Sequence, residues 1–272
     1  MKLVSMLFSA AVLRKKLRLL LLRLILRKKV LSIIAIGDSW LNRRLFDRGP
    51  LHWDTIDWIK QKYPLINCAI PGYTLEDEIK NRLCDLALKI VNLRRPLVIV
   101  LSLGGNDMLN IFSSFMSGSG SKCKLKKKHL TNFIKTVMFP QLKRYVTSLV
   151  RQYEKYGHLK YFKIIIHGYD YFHPEKEPNS KFTAMLKEFF YNNNVPIPLA
   201  SKIVREFVDI TNKELLKLAK ETPCLEVVDL RGKIPKKYWG EQIHPTPEGY
   251  AIVAAKIMNR IDVFMKSTSA NF

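Results

Sequence analysis

The sequence lacks the short motifs by which many proteins bind nucleotide cofactors. It contains neither a Gly-x-x-x-x-Gly-Lys-Ser/Thr loop nor a Gly-x-Gly-x-x-Gly fingerprint. Its four cysteines form no Cys-x-x-Cys pair and show no zinc-ligand spacing, so neither a structural zinc site nor an oxidising compartment is indicated. The sequence therefore predicts a protein that works without a cofactor or a metal.

Acidic residues are scarce. There are 23 aspartates and glutamates against 46 lysines and arginines, which gives a net charge of +23. Such a charge either favours anionic partners, such as phospholipid head groups, or simply makes a basic, soluble surface. The lysine-rich loop at residues 112–129 lacks the interleaved aromatic side chains that stack on bases, so no nucleic-acid partner is expected.

The N-terminal segment is apolar, but basic residues interrupt it too often for a plain membrane span. Residues 1–29 hold nine lysines and arginines and no acidic residue. On a helix, Lys16, Arg23 and Arg27 share one face and leucines the other, as in a helix that lies on a membrane surface. Three interpretations stay open: contact with an anionic membrane, which we favour, a helix docked on the domain, or a signal or anchor. We expect a cytoplasmic or peripheral membrane protein in preference to a secreted one.

Beyond this leader, short apolar runs alternate with longer segments of helical spacing. The alternation predicts one α/β domain with three layers over residues 30–266, followed by a short tail at 267–272. The apolar runs show no polar alternation, as expected for parallel strands that are buried on both faces. They are Leu31–Ile36, Leu65–Ile70, Leu97–Leu103, Phe162–His167 and Leu225–Leu230. The predicted helices are Trp53–Lys62, Leu75–Leu93, Thr131–Tyr156, Phe182–Tyr191, Leu199–Lys220 and Glu248–Phe264.

Polar residues and glycines follow these runs, at the strand ends where open α/β sheets bind ligands. Their types are those that acyl transfer requires: a serine nucleophile, a histidine base, and donors for an oxyanion. The predicted nucleophile is Ser39 and its base is His244, with Glu241 able to hold the second imidazole nitrogen. The candidate oxyanion donors are the backbone N–H groups of Ser39 and Gly72 and the side-chain amide of Asn106.

Aromatic residues near these positions are candidates for a substrate pocket. Trp40 follows the predicted nucleophile, and Tyr169, Tyr171 and Phe172 follow the fourth strand. Core packing is the alternative role for the three residues after the fourth strand. The same region also contains three side chains that are capable of binding a metal, without the spacing or fourth ligand of a clear site: His167, Asp170 and His173.

The four sequence blocks together resemble the signature blocks of the SGNH hydrolases, the GDSL-type esterases and lipases. The matching segments are Gly37-Asp38-Ser39, Asn67 to Gly72, Gly104-Gly105-Asn106-Asp107, and Ile243-His244-Pro245-Thr246 with Gly249-Tyr250. The resemblance spans residues 31 to about 264. It implies a flavodoxin-like fold with a parallel five-stranded sheet, and metal-free ester hydrolysis by Ser39, His244 and an acid.

Two positions depart from that family pattern. Trp40 stands where leucine is common, which alters the packing. Glu241 stands where the family usually has aspartate, so either Glu241 completes a triad or the enzyme uses a Ser–His dyad. Asp38 and Asp107 are interpreted as structural carboxylates that brace their turns.

We expect a serine ester hydrolase, with a small-molecule acyl ester or a lipid ester as the favoured substrate. The alternatives are an inactive relative that binds a membrane or a partner, an acyltransferase, and a carbohydrate O-acetyl esterase with the same site.

Overall fold

A computed structural model of the chain describes residues 12–17, 33–42, 53–88, 97–108, 127–155, 159–176, 190 and 195–269. Five strands in these residues form one sheet, in the order β2-β1-β3-β4-β5, and every neighbouring pair is parallel. The strands are β1 (Ile33–Gly37), β2 (Leu65–Asn67), β3 (Leu97–Ser102), β4 (Phe162–His167) and β5 (Leu225–Val228). The predicted parallel sheet is confirmed, and each strand falls within or next to its predicted apolar run.

Helices cover this sheet in two packed groups. The helices are α1 (Thr55–Lys60), α2 (Leu75–Asn81), α3 (Leu83–Leu88), α4 (Lys127–Phe133), α5 (Phe139–Glu154), α6 (Ile197–Glu221) and α7 (Pro247–Ser269). A π-helical turn, Ile134–Met138, joins α4 to α5. The first helix packs on α7, whereas α2 contacts α5 and α4 contacts α6. With this strand order, the right-handed crossovers that parallel strands almost always use would put the two groups on opposite faces of the sheet, as the predicted three layers require.

The segment predicted as one helix from Leu75 to Leu93 is two helices. Thr74 caps α2: its hydroxyl accepts from Asp77 N at 3.1 Å, and the Asp77 carboxylate accepts from Thr74 N. Arg82 then adopts a left-handed conformation with φ 54°, which ends the helix. The second helix, α3, restarts at once, and the Glu78 carboxylate accepts from Cys84 N at 2.9 Å. The predicted helix Phe182–Tyr191 lies outside the described residues except for Phe190.

Residues 12–17 are the described part of the leader, and they form a helical segment that contacts the domain. Val12 is buried in the main core, Lys15 Nζ donates to Asn67 O at 3.0 Å, and Lys16 Nζ lies 3.5 Å from Asn81 Oδ1. Leu13 and Leu17 are 58% and 52% exposed. Within the residues that the structure describes, no helix combines the length and the apolar character that a membrane span needs.

Candidate active site

Ser39 lies in a tight turn directly after β1. The Asp38 carboxylate accepts from Trp40 N at 3.0 Å, and Asp38 O accepts from the backbone N–H of Leu41. Gly37 lets this turn pass close to β3, because a Cβ there would lie 2.1 Å from Ser102 O. The turn therefore presents a nearly buried Ser39 hydroxyl at the carboxyl edge of the sheet.

His244 reaches the same edge from a short closed loop before α7. Gly240 N and Glu241 N both donate to His244 O, at 3.1 and 3.2 Å, so the loop folds back on itself. In this loop the buried Glu241 carboxylate contacts His244 Nδ1. On the other side of the ring, His244 Nε2 lies 2.7 Å from Ser39 Oγ.

This arrangement fixes the proton positions of the imidazole. A carboxylate can only accept a hydrogen bond, so Nδ1 carries the proton that faces Glu241. In the neutral ring Nε2 is then an acceptor, directed at the Ser39 hydroxyl. The glutamate has one methylene more than the family's usual aspartate, and the loop accommodates it without separating the two side chains. Glu241, His244 and Ser39 thus form the chain of hydrogen bonds from acid to imidazole to hydroxyl that an activated serine requires.

The candidate oxyanion donors approach from two further strand ends. Asn106 follows β3, and one of its two amide hydrogens is used in a 3.1 Å hydrogen bond to Tyr73 O. Gly72 has φ +79°, a left-handed conformation, while a Cβ there would meet no atom within 4 Å. The backbone conformation, and not a lack of space, therefore favours glycine at this position.

A cavity of about 20 Å³ joins most of these groups, which is room for about one water molecule. The predicted site residues that line it are Ser39, Trp40, Asn106, Tyr169, Phe172 and His244. Gly72 is not among its described lining residues. Met108 and Ile243, which were not predicted as pocket residues, also line it.

Tyr171, the remaining aromatic residue predicted for the pocket, is not among the described residues that line this cavity. Its hydroxyl donates to Asp209 at 2.8 Å, and the Arg205 guanidinium lies 4.1 Å from its ring centre. The reason lies in Asp170, whose carboxylate accepts from Gly232 N and Ile234 N and holds the chain against the loop after β5. Tyr171 therefore points to α6 and the next residue, Phe172, faces the cavity.

The strand-end residues that form this site fit a known family of enzymes. The model of the GDSL-like Lipase/Acylhydrolase family matches residues 33–257. The chain belongs to this family. It is accordingly an enzyme that acts on ester bonds.

Solved structures share the fold of this family member. A Streptococcus pneumoniae protein provisionally named as a platelet activating factor aligns with a TM-score of 0.59 at 15% identity, over 95% of this chain and 96% of that one. An extracellular lipase from Streptomyces rimosus gives 0.53 at 11% identity, over 84% and 98%. A lipolytic G-D-S-L family protein from Veillonella parvula gives 0.50 at 16% identity, over 84% and 96%. A search of curated proteins finds no significant match.

The two aspartates of the GDSL family blocks brace turns. The Asp38 carboxylate accepts hydrogen bonds from Ser102 Oγ at 2.6 Å and Tyr169 Oη at 2.5 Å, as well as from Trp40 N. Asp107 accepts from Leu75 N at 3.1 Å and so ties the asparagine block to the start of α2. Burial raises the pKa of each carboxyl to about 6. Ser102 is the polar residue at the end of an otherwise apolar strand, which is the sequence signal that marks it.

The side chains considered as metal ligands in this GDSL protein have other partners. His167 stacks on Trp40 with ring centres 5.8 Å apart, and burial lowers its pKa to about 4. Asp170 accepts the backbone N–H groups described above, and His173 Nδ1 lies 3.0 Å from Glu175. Among the described residues, no three histidine, cysteine or acidic side chains come together in a way that would hold a metal ion.

Proposed function

We propose that this protein is a serine ester hydrolase with Ser39 as nucleophile, His244 as general base and Glu241 as the group that orients the imidazole. The observation that supports this most directly is the 2.7 Å contact of Ser39 Oγ with His244 Nε2, on a ring whose Nδ1 faces a buried carboxylate. A serine hydroxyl is a weak nucleophile until a base takes its proton, and this contact supplies that base.

In the proposed first half-reaction, Ser39 Oγ attacks the acyl carbonyl carbon while its proton passes to His244 Nε2. The carbonyl oxygen becomes an oxyanion, which the N–H groups of Ser39 and Gly72 and the second amide hydrogen of Asn106 stabilise. Collapse of this intermediate breaks the ester bond, and the departing alkoxide takes the proton from His244. Water then attacks the acyl-serine in the same way and releases the acid.

The favoured substrate is an acyl ester or a lipid ester. The basic composition and the aromatic cavity walls support this choice, and two of the similar structures are described as lipolytic proteins. A cavity of about 20 Å³ is too small for an acyl chain. The acyl chain of the substrate therefore extends beyond the cavity, or the aromatic walls move when the substrate binds.

A fluorophosphonate probe tests the nucleophile, and a panel of esters tests the substrate. We expect the probe to label the wild type and not Ser39→Ala, and we expect the wild type to hydrolyse soluble p-nitrophenyl esters. The panel, from acetate to decanoate, then reports the preferred chain length. Equal labelling of Ser39→Ala and the wild type would refute the proposed nucleophile.

We further propose that residues 1–29 bring the enzyme to anionic membranes. In the described part, Lys15 and Lys16 contact the domain while Leu13 and Leu17 are directed outward. Apolar insertion of leucines together with attraction of basic residues is how such helices bind lipid surfaces. Because Val12 is buried in the core, point substitutions test this better than removal of the leader.

The experiment measures sedimentation of the full chain with phosphatidylserine-containing vesicles at low and high salt. Leu13→Ser combined with Leu17→Ser should lower vesicle binding and leave hydrolysis of a soluble short ester unchanged. Leu216→Ser, at an exposed leucine of α6, is the matched control. Unchanged binding by the double variant would contradict the proposal.

A further inference from the structure

The Tyr169 hydroxyl is a buried group that bridges three strand ends. Tyr169 follows β4, yet its hydroxyl donates to Asp38 Oδ2 after β1 at 2.5 Å. The same oxygen accepts from Gly105 N after β3 at 3.0 Å and lies 3.4 Å from Ser102 Oγ at the end of β3. Its side chain is almost completely inaccessible to solvent. This network is not part of the chemistry assigned to the nucleophile, the base and the oxyanion donors.

The two residues held by this hydroxyl precede the two groups whose spacing matters most. Asp38 comes directly before Ser39, and Gly105 comes directly before Asn106. The nucleophile and an oxyanion donor lie on different loops, so a link between the two loops is needed to hold Ser39 and Asn106 at a fixed distance. Displacements of about 1 Å in such a pair are enough to slow a reaction about a hundredfold.

We propose that Tyr169 is a positioning residue that fixes Ser39 relative to Asn106 through the hydrogen bonds of its hydroxyl to Asp38 and Gly105. The inference rests on the proposed function. It adds to the role of Tyr169 as an aromatic wall of the cavity, because the ring supplies a wall and the hydroxyl joins the two loops.

The protonation of Asp38 is part of this link. Three donors point at its carboxylate, namely Trp40 N, Ser102 Oγ and Tyr169 Oη, so a protonated Asp38 would require one of them to turn away. The other titratable groups near it are Asp107 after β3, His167 at the end of β4, and His244, which lines the same cavity. Burial raises the Asp38 pKa to about 6, while the Tyr169 hydrogen bond lowers it. Loss of that hydrogen bond raises the pKa further.

The test is Tyr169→Phe in the full chain, assayed on a soluble short ester from pH 5 to 9. Phenylalanine keeps the ring packing on Trp40 and Phe172 and removes only the hydroxyl. We expect kcat to fall at least about tenfold and KM to change less than about twofold, because only the transition-state geometry is affected. The acid limb of kcat should move to higher pH.

The matched control is Tyr153→Phe, which removes another buried hydroxyl, one that donates to Tyr161 O. It should leave kcat and the pH profile at wild-type values. An unchanged kcat in Tyr169→Phe would overturn the inference. So would a loss of activity that merely follows a lower melting temperature, with the acid limb unmoved. Inactivity of the wild type or full activity of Ser39→Ala would instead refute the proposed function, which separates the two failures.

Discussion

Among the residues that the structure describes, Glu78 and Glu241 are completely buried, and they have different surroundings. Glu241 contacts the Nδ1 of His244 at the carboxyl edge of the sheet. Glu78 lies in α2, where its Oε1 accepts hydrogen bonds from Cys84 N and Tyr145 Oη, each at 2.9 Å. Burial raises the pKa of Glu78 to about 7.

Burial alone does not show what a carboxylate does, because Glu78 and Glu241 are equally buried and have different partners. When only neutral donors surround a buried carboxyl, desolvation favours its uncharged form and raises its pKa. A carboxylate beside an imidazole has a partner that becomes a cation when the imidazole takes a proton, so the pair can stabilise a transition state. Substitutions at His244, Glu241 and Glu78 change one of these two regions, and a substitution at Asn106 changes the residue that joins them.

The largest effect is expected from removing the imidazole that distinguishes the two regions. His244→Ala should lower kcat on a soluble ester by about a million-fold, as removal of a general base does in serine proteases. Combining it with Ser39→Ala should cost little more, because members of one catalytic unit are not additive. Steady-state kinetics of the three variants measure this, and additive losses would mean that the two residues act separately.

Glu241→Gln makes the carboxylate beside His244 neutral while keeping its size. If Glu241 orients the imidazole, kcat should fall by up to about ten-thousand-fold, because the amide favours the wrong tautomer. Glu241→Asp is the comparison variant, since it restores the family's usual residue and should retain most activity. A Glu241→Gln loss below about tenfold, or 1.4 kcal/mol, would favour a dyad.

Asn106 joins the two regions, because its amide donates to the carbonyl of Tyr73 just before α2. Asn106→Ala should lower kcat by about a hundredfold to a thousandfold through loss of an oxyanion donor. KM should change much less, since the contact strengthens only in the transition state. Lower affinity with turnover preserved would indicate ground-state binding instead.

The smallest effect on activity is expected at the other glutamate. Glu78→Gln should leave ester hydrolysis at the wild-type level and should raise the melting temperature above pH 7. The folded protein holds the Glu78 proton up to a pKa of about 7, against a usual value of 4.5. Between pH 4.5 and about pH 7, the unfolded chain releases the Glu78 proton and the folded protein keeps it. The free energy of unfolding of the wild type therefore falls as the pH rises through this range.

Thermal melts of both proteins from pH 5 to 8 test this sign. The advantage of Glu78→Gln should grow with pH across that window and should be smallest at pH 5. An advantage that is independent of pH would show that the carboxyl charge is not its cause.

Much of the fold was predictable from the sequence because buried parallel strands need apolar side chains on both faces. The apolar runs therefore identified all five strands, and the residues after them identified the edge where Ser39 and His244 meet. The break at Arg82 was not predictable in the same way. Apolar spacing continues through it, and it is Glu78, buried by tertiary packing, that provides the hydrogen bond at the start of α3.

The sequence by itself determined the residue types and their order: a serine, a glycine, an asparagine and a histidine, each placed after a strand. Only the tertiary structure decided which neighbouring side chains join them. Tyr169 and Tyr171 are two residues apart and chemically identical, yet one hydroxyl bonds to Asp38 and the other to Asp209. The physical reason is that local patterns specify backbone conformation and burial, whereas hydrogen-bond partners depend on which distant segments the completed sheet brings within 3 Å.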